Sequence, residues 1–280
     1  MNATNLPPST IEPVFIELNG RRLFTLRFAP TGPVRGAMLY LPPFAEEMNR
    51  CRSHVAAQAR ALAAAGHVVW LLDPFGCGES EGEIIDANWD IWVDDAIAAL
   101  ACLAAESGHR PALWSVRLGA LLAIDVAQRA PQAVGDLLLW QPVADGKLFL
   151  TQYLRLRVAS QMVNDGQPET TENLRGRLAA GEIIEVAGYP LAGSLAADIE
   201  ARKLATMAPG TGRRIVWLEV VGKPEQALTA ASRKAVAALE QAGANVAART
   251  AVSPPIWQLH ERADAPGLLS TSLDAWEASA

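Results

Sequence analysis

The sequence predicts an α/β protein: a mostly parallel sheet covered by helices on both faces, with a helical cap insertion. Three observations predict it. From residue 36, short apolar runs alternate with helical segments, the pattern of strands buried on both faces. A second strand–helix–strand series returns after residue 212. Between them, over about 141–212, the pattern is mostly helical with several Gly and Pro breaks, as expected of a cap inserted after one sheet strand rather than a separate domain. The expected organisation is one domain over 1–280 carrying that insertion.

The elements follow in order. Val14 to Leu18 and Leu23 to Phe28 read as strands around Asn19-Gly20, the strongest short hairpin signal. GAMLYL, 36–41, is an apolar strand stopped by Pro42-Pro43. Asn49 to Ala65 has helical spacing and ends at Gly66. HVVWLL, 67–72, is the next strand, closed by a Gly-rich loop. Asp86 to Glu106 is a helix, Ala112 to Val116 a strand, Leu118 to Arg129 a helix, and Asp136 to Trp140 a strand. Residues 215–221, 229–242 and 245–252 then give strand, helix and strand.

Composition excludes several function classes. Half of the 280 residues are apolar, enough to bury a core without staples. The 24 basic and 30 acidic side chains give −6, against a nucleic-acid partner, which calls for a basic stripe. The longest apolar stretch, Ala96 to Ala105, is half a membrane span, and the first ten residues carry no secretory signal, so a cytoplasmic protein is expected. Cys51, Cys77 and Cys102 form no framework and are expected as thiols. No HExxH, CxxC or GxGxxG is present, so neither metal nor cofactor is expected.

In such sheets, ligands bind beyond the carboxyl ends of the strands. Three loops there are informative. After the first parallel strand, Phe44, Glu46, Glu47, Asn49 and Arg50 form a polar cluster at a helix start, where the acids also suit the helix dipole. After the second, Asp73 and Ser80 suit backbone hydrogen bonds in a tight glycine loop, and Cys77 has no partner that would activate it. After the third comes Ser115-Val116-Arg117-Leu118-Gly119. This layout resembles the α/β-hydrolase fold, whose nucleophile sits at a strand-to-helix elbow between small residues two before and two after it. Ser115 and Gly119 supply the small residues, so Arg117 falls at the apex. Ser115 as nucleophile would require small residues at 113 and 117, where Leu and Arg stand. By the same likeness, Glu225 lies in the acid loop, and His260 follows the last strand, later than usual.

PPFAEEMNRCR (42–52), LLDPFGCGESEG (71–82), the Trp89/Trp92/Asp95 helix start, RLGALLA (117–123) and WQPVADGKLFLTQYLRLR (140–157) make the chain similar to the exosortase A system-associated hydrolase 2 family. The resemblance covers nearly the whole chain. It implies a cytoplasmic protein linked to exopolysaccharide production and protein sorting, with proteins of that system as partners.

Arginine is always cationic and has no lone pair with which to attack a carbonyl, so the standard Ser-His-Asp mechanism is not expected. At the elbow it suits an anion beside the helix N-terminus at Leu118, and burial demands a counter-charge. Arg117 is therefore expected to pair with Glu46 or Glu47. Two functions stay open. One is an ester or thioester hydrolase using activated water, with Glu46, Glu47 or His260 as base and Arg117 and Glu225 in the same catalytic set. The other is an inactive anion- or saccharide-binding protein, with Phe44, Glu47, Asn49, Arg117 and Leu118 around the ligand. Trp89, Trp92 and Trp257 are candidates to line that pocket, while Trp70, Trp140 and Trp217 fall in strand runs and belong to the core. The helix Lys147 to Met162, with Arg155 and Arg157 beside leucines, suits docking of a partner or a membrane face, and more so a lid over the cavity.

Overall fold

The computed structural model describes residues 9–163, 169–259, 261 and 263–278. Strands β1 (Ser9–Leu18) and β2 (Arg21–Pro30) form the expected hairpin, longer at its open end than the sequence suggested. Asn19 and Gly20 both have positive φ, which matches the right-handed twist of the strands they join. Strands β3 (Gly36–Leu41), β4 (His67–Leu72), β5 (Ala112–Val116), β6 (Leu137–Trp140), β9 (Arg214–Val221) and β10 (Asn245–Val252) complete an eight-stranded sheet in the order β1-β2-β4-β3-β5-β6-β9-β10. β4, β3, β5, β6, β9 and β10 run parallel, β2 is antiparallel to β4, and β1 is an edge strand.

Side chains alternate across a strand, so this sheet has two apolar faces. Met38, Tyr40, Trp114, Leu138, Trp140 and Val216 pack against α1 (Glu46–Ala64) and α8 (Pro266–Glu277). Leu39, Leu113, Leu137 and Trp217 pack on the other side with α2 (Trp89–Ser107), α3 (Gly119–Arg129) and α7 (Ala230–Gln241). Trp70, Trp140 and Trp217 are buried core residues, as their positions in strand runs implied.

Between β6 and β9 lie α4 (Gly146–Val163), α5 (Thr171–Ala179), a small hairpin of β7 (Ile184–Val186) and β8 (Tyr189–Leu191), and α6 (Gly193–Ala201). The sequence pattern gave a mostly helical segment with Gly and Pro breaks, and did not single out this hairpin. Three-residue strands are too short to show a period, although Ala187-Gly188 turns the chain with two positive φ values. This segment is seated closely on itself: a Cβ on Gly146 would lie 1.8 Å from the Ile199 carbonyl oxygen. No helix among the described residues is long and apolar enough to cross a membrane.

Candidate functional site

The site grows from the turn between β5 and α3. Arg117 has φ +54°, a left-handed conformation that L-residues other than Gly, Asn and Asp rarely take. The surroundings enforce it. Arg117 N donates to the Trp140 carbonyl at 3.0 Å, and its own carbonyl accepts from Val143 N at 3.1 Å and Ala120 N at 3.1 Å. Gly119 lets the helix start press on the neighbouring strand, since a Cβ there would lie 2.6 Å from the carbonyl oxygens of Leu41 and Pro42. Ser115 is fully buried within β5 and its hydroxyl has no hydrogen bond among the described residues, so it serves as a small packing residue.

The Arg117 side chain turns toward the loop after β3. Its Nε donates to Glu47 Oε1 at 3.2 Å, and both side chains are about 15% exposed. This is one of the two pairings the sequence allowed. The other acid, Glu46, binds Arg50 at 3.3 Å instead, because the helix begins at Glu46, three residues earlier than the spacing suggested, and places 46 and 50 one turn apart. The guanidinium carbon of Arg117 also stands 5.2 Å from the Trp257 ring centroid, a cation–π contact. Burial pushes the Glu47 carboxyl above its ordinary range, Arg117 opposes that shift, and Glu46 adds to it. Glu47 Oε2 is buried and has no partner among the described residues. Arg50 reaches the carbonyl of Gln258 at 2.9 Å and so ties α1 to the loop after β10.

The remaining candidates are distributed around this pair. Phe44 stacks edge-on against Phe149 and Tyr153 of α4 and faces Trp92. Leu118, Phe44, Trp89 and Trp92 line a cavity of about 20 Å³ beside the elbow, which is room for about one water. Asn49 is engaged elsewhere: its amide donates to the Tyr189 hydroxyl at 2.7 Å and accepts from Arg52. Glu225 is exposed in the loop after β9 and makes no hydrogen bond or ion pair among the described residues. His260 lies outside the described residues. The glycine loop behaves as its residues imply: Asp73 accepts from Glu79 N at 3.0 Å, and Ser80 donates to the Asp73 carbonyl at 2.5 Å. Burial pushes the Cys77 thiol up to about 12, which keeps it protonated and a poor nucleophile.

Phe149 and Tyr153 escaped the sequence reading. Their signal was an aromatic pair at i, i+4 on one helix, and their packing on Phe44 joins positions far apart in the chain. Trp257 was named as a pocket candidate, but its place beneath Arg117 joins positions far apart in the chain. Trp257 also walls an open hollow of about 600 Å³ at the ends of β9 and β10, with Gly222, Ser253, Pro254 and Asp264.

The family model described as serine aminopeptidase, S33, matches residues 32–187, more than half the chain and all of the elbow. The chain belongs to the serine aminopeptidase S33 family. Solved structures with the same fold include DcsB in complex with its substrate analogue, 11% identical with a TM-score of 0.65 over 97% of this chain and 100% of that one. Est1E from Butyrivibrio proteoclasticus, bound to ferulic acid, is 13% identical with a TM-score of 0.65 over 95% and 98%. A fungal esterase from Rhizomucor miehei is 16% identical with a TM-score of 0.60 over 99% and 86%. No curated protein sequence matches the chain. The S33 chain described here thus has the α/β-hydrolase fold, a mostly parallel sheet flanked by helices.

Proposed function

We propose that Arg117 stands where S33 relatives carry their nucleophilic serine, and that the site binds a small anionic ligand without a Ser-His-Asp mechanism. The observation that carries this reading is the strained elbow with a cation at its apex, already holding an internal carboxylate, Glu47. Glu47 marks the chemistry the site accepts: a carboxylate in a bent seat between a guanidinium and the helix start. A ligand anion arriving from the hollow beside Trp257 competes with Glu47 for Arg117. α4 serves as the lid, with Phe149 and Tyr153 closing over Phe44. The resemblance to exosortase A system-associated hydrolase 2 proteins points to an acyl or saccharide intermediate of exopolysaccharide production as the ligand, in the cytoplasm.

A second reading has its own support. The raised Glu47 carboxyl and its unpartnered Oε2 suit a general base that activates water for ester or thioester hydrolysis, with Arg117 stabilising the oxyanion.

A chromogenic short-chain ester and a thermal-shift series with glucuronate, using glucose as the neutral control, separate the two. We expect no turnover, and a melting temperature raised by glucuronate alone and only while Arg117 is present, so that Arg117→Ala abolishes the shift. Turnover by the wild type that disappears in Glu47→Gln overturns the binding reading in favour of the hydrolytic one. A chain with neither turnover nor an Arg117-dependent shift refutes both.

A further inference from the structure

The Arg117–Glu47 pair is incomplete on both sides. A guanidinium and a carboxylate can pair through two parallel hydrogen bonds, but these two meet through a single one, Nε to Oε1 at 3.2 Å. The other carboxylate oxygen, Oε2, is buried without a partner among the described residues. Arg117 in turn keeps Nη1 and Nη2 without a hydrogen bond among the described residues. One buried oxygen lacks a donor, and two guanidinium nitrogens lack an acceptor. Buried polar groups are normally satisfied, so both deficits call for an explanation.

The other groups around Glu47 do not meet them. On α1, Glu46 is bound to Arg50 at 3.3 Å. Cys51 follows on the same helix, Tyr40 comes from β3 and Tyr153 from α4. Burial pushes the Cys51 thiol and the Tyr40 and Tyr153 phenols up, so all three stay neutral through the neutral range. From the loop after β10 comes Trp257, which does not titrate, and Asp264 lines the hollow that Trp257 walls. Among the described residues, Arg117 is the only cation in hydrogen-bond contact with Glu47.

Charge then dictates what accompanies a ligand. While Glu47 is ionised the pair is neutral. A second carboxylate on the free Arg117 nitrogens adds a negative charge at a largely buried place, beside Glu47 and one residue from Glu46. Two carboxylates sharing one site do not both stay ionised, and an uncompensated buried charge is neutralised rather than kept. Resting on the reading of Arg117 as an anion site, we propose that the site takes up its ligand carboxylate together with one proton, held by Glu47. The ligand carboxylate accepts from Nη1 and Nη2, and the proton enters from solvent onto Oε2, the oxygen with no donor. It returns to solvent when the ligand leaves. Glu47 is thus the counter-charge of Arg117 in the empty site and a neutral carboxylic acid in the filled one. The site binds, in sum, the elements of an uncharged acid. Linkage makes the effect reciprocal: the ligand raises the hold of Glu47 on its proton by the factor by which the proton favours the ligand.

Calorimetric titration of the full chain with glucuronate, repeated in buffers of different ionisation heat, counts the protons taken up per ligand. Glucuronate is itself ionised above about pH 5, so a proton taken there belongs to the protein. We expect uptake to grow with pH and to approach one proton per glucuronate on the alkaline side, where affinity falls by up to about tenfold per pH unit. Glu47→Gln should bind glucuronate with no uptake and with an affinity independent of pH, higher than that of the wild type at neutral pH. Arg117→Ala should not bind it. Wild-type binding without proton uptake overturns the inference and leaves the Arg117 reading standing, and this result is decisive even if Glu47→Gln does not fold. Uptake that persists in a folded Glu47→Gln does the same. No binding at any pH, or binding kept by Arg117→Ala, removes the Arg117 reading and the inference with it.

Discussion

Arg117 and Glu47 each make the other tolerable. A guanidinium forced into a left-handed turn and largely buried needs a carboxylate, and a carboxylate at a crowded helix start needs a cation. The pair still leaves Glu47 with a net penalty for ionising, because burial outweighs the attraction of Arg117. The sign of the pH effect follows. The folded chain holds the Glu47 proton to a higher pH than the unfolded chain, whose carboxyl titrates near 4.5. Across the window from there up to the folded value, the native state binds more protons, so stability falls as pH rises. Melting curves for the wild type and Glu47→Gln should therefore diverge, the wild type losing ground to the variant as pH rises above the unfolded carboxyl value. A pH-independent difference would contradict this. The pairing was legible because the hydrolase layout puts the loop after β3 beside the elbow, and only Glu46 and Glu47 there carry charge of the right sign. The partner's identity was settled by helix register, and Trp257 by a long-range approach that no local pattern encodes.

At the scale of elements, the central strands read cleanly: 36–41, 67–72 and 112–116 are strands over the limits their apolar runs imply. Strands buried on both faces have sharp ends, since the first polar or Gly/Pro residue leaves the sheet. Helix starts were less legible. α1 begins at Glu46 because Ala45 adopts φ +53° and turns the chain early, and α2 begins at Trp89 because Asn88 caps it, its side chain accepting from Ile91 N at 2.9 Å. α8 gave no strong signal, as its sequence alternates small, polar and apolar residues. The elbow depends on one such junction. Gly119→Ala places a methyl carbon against two backbone oxygens that cannot move without disturbing β3, and should cost more than about 2 kcal/mol, read from the midpoint of urea unfolding. An unshifted midpoint would mean that the elbow has slack.

Across the whole molecule, the segment between β6 and β9 is fastened to the sheet domain through Asp125. This carboxylate, buried on α3, accepts from Trp89 Nε1 at 2.8 Å, Arg129 Nε at 2.9 Å and Arg202 Nε at 3.2 Å. It joins α2, α3 and the chain just after α6, while the Arg202 guanidinium also lies 5.3 Å from the Trp89 ring centroid. Removing one partner of a buried charge network leaves the others uncompensated, so Asp125→Ala should cost about 3 kcal/mol. Limited proteolysis should then cut within 141–212 well before the sheet domain; simultaneous loss of both parts would show that they open together. The outer limit of the sheet has a consequence of another kind. β1 presents ten residues of strand with no neighbour on one side, and Ile11 and Phe15 stand exposed along it. Such an edge invites a second chain to add on. Pro13 removes a donor midway, and Glu12 and Glu17 place like charges along the strand, so stacking of copies edge to edge meets both a missing bond and repulsion. The molecule thereby keeps a long open edge whose own residues oppose growth into an aggregate through it.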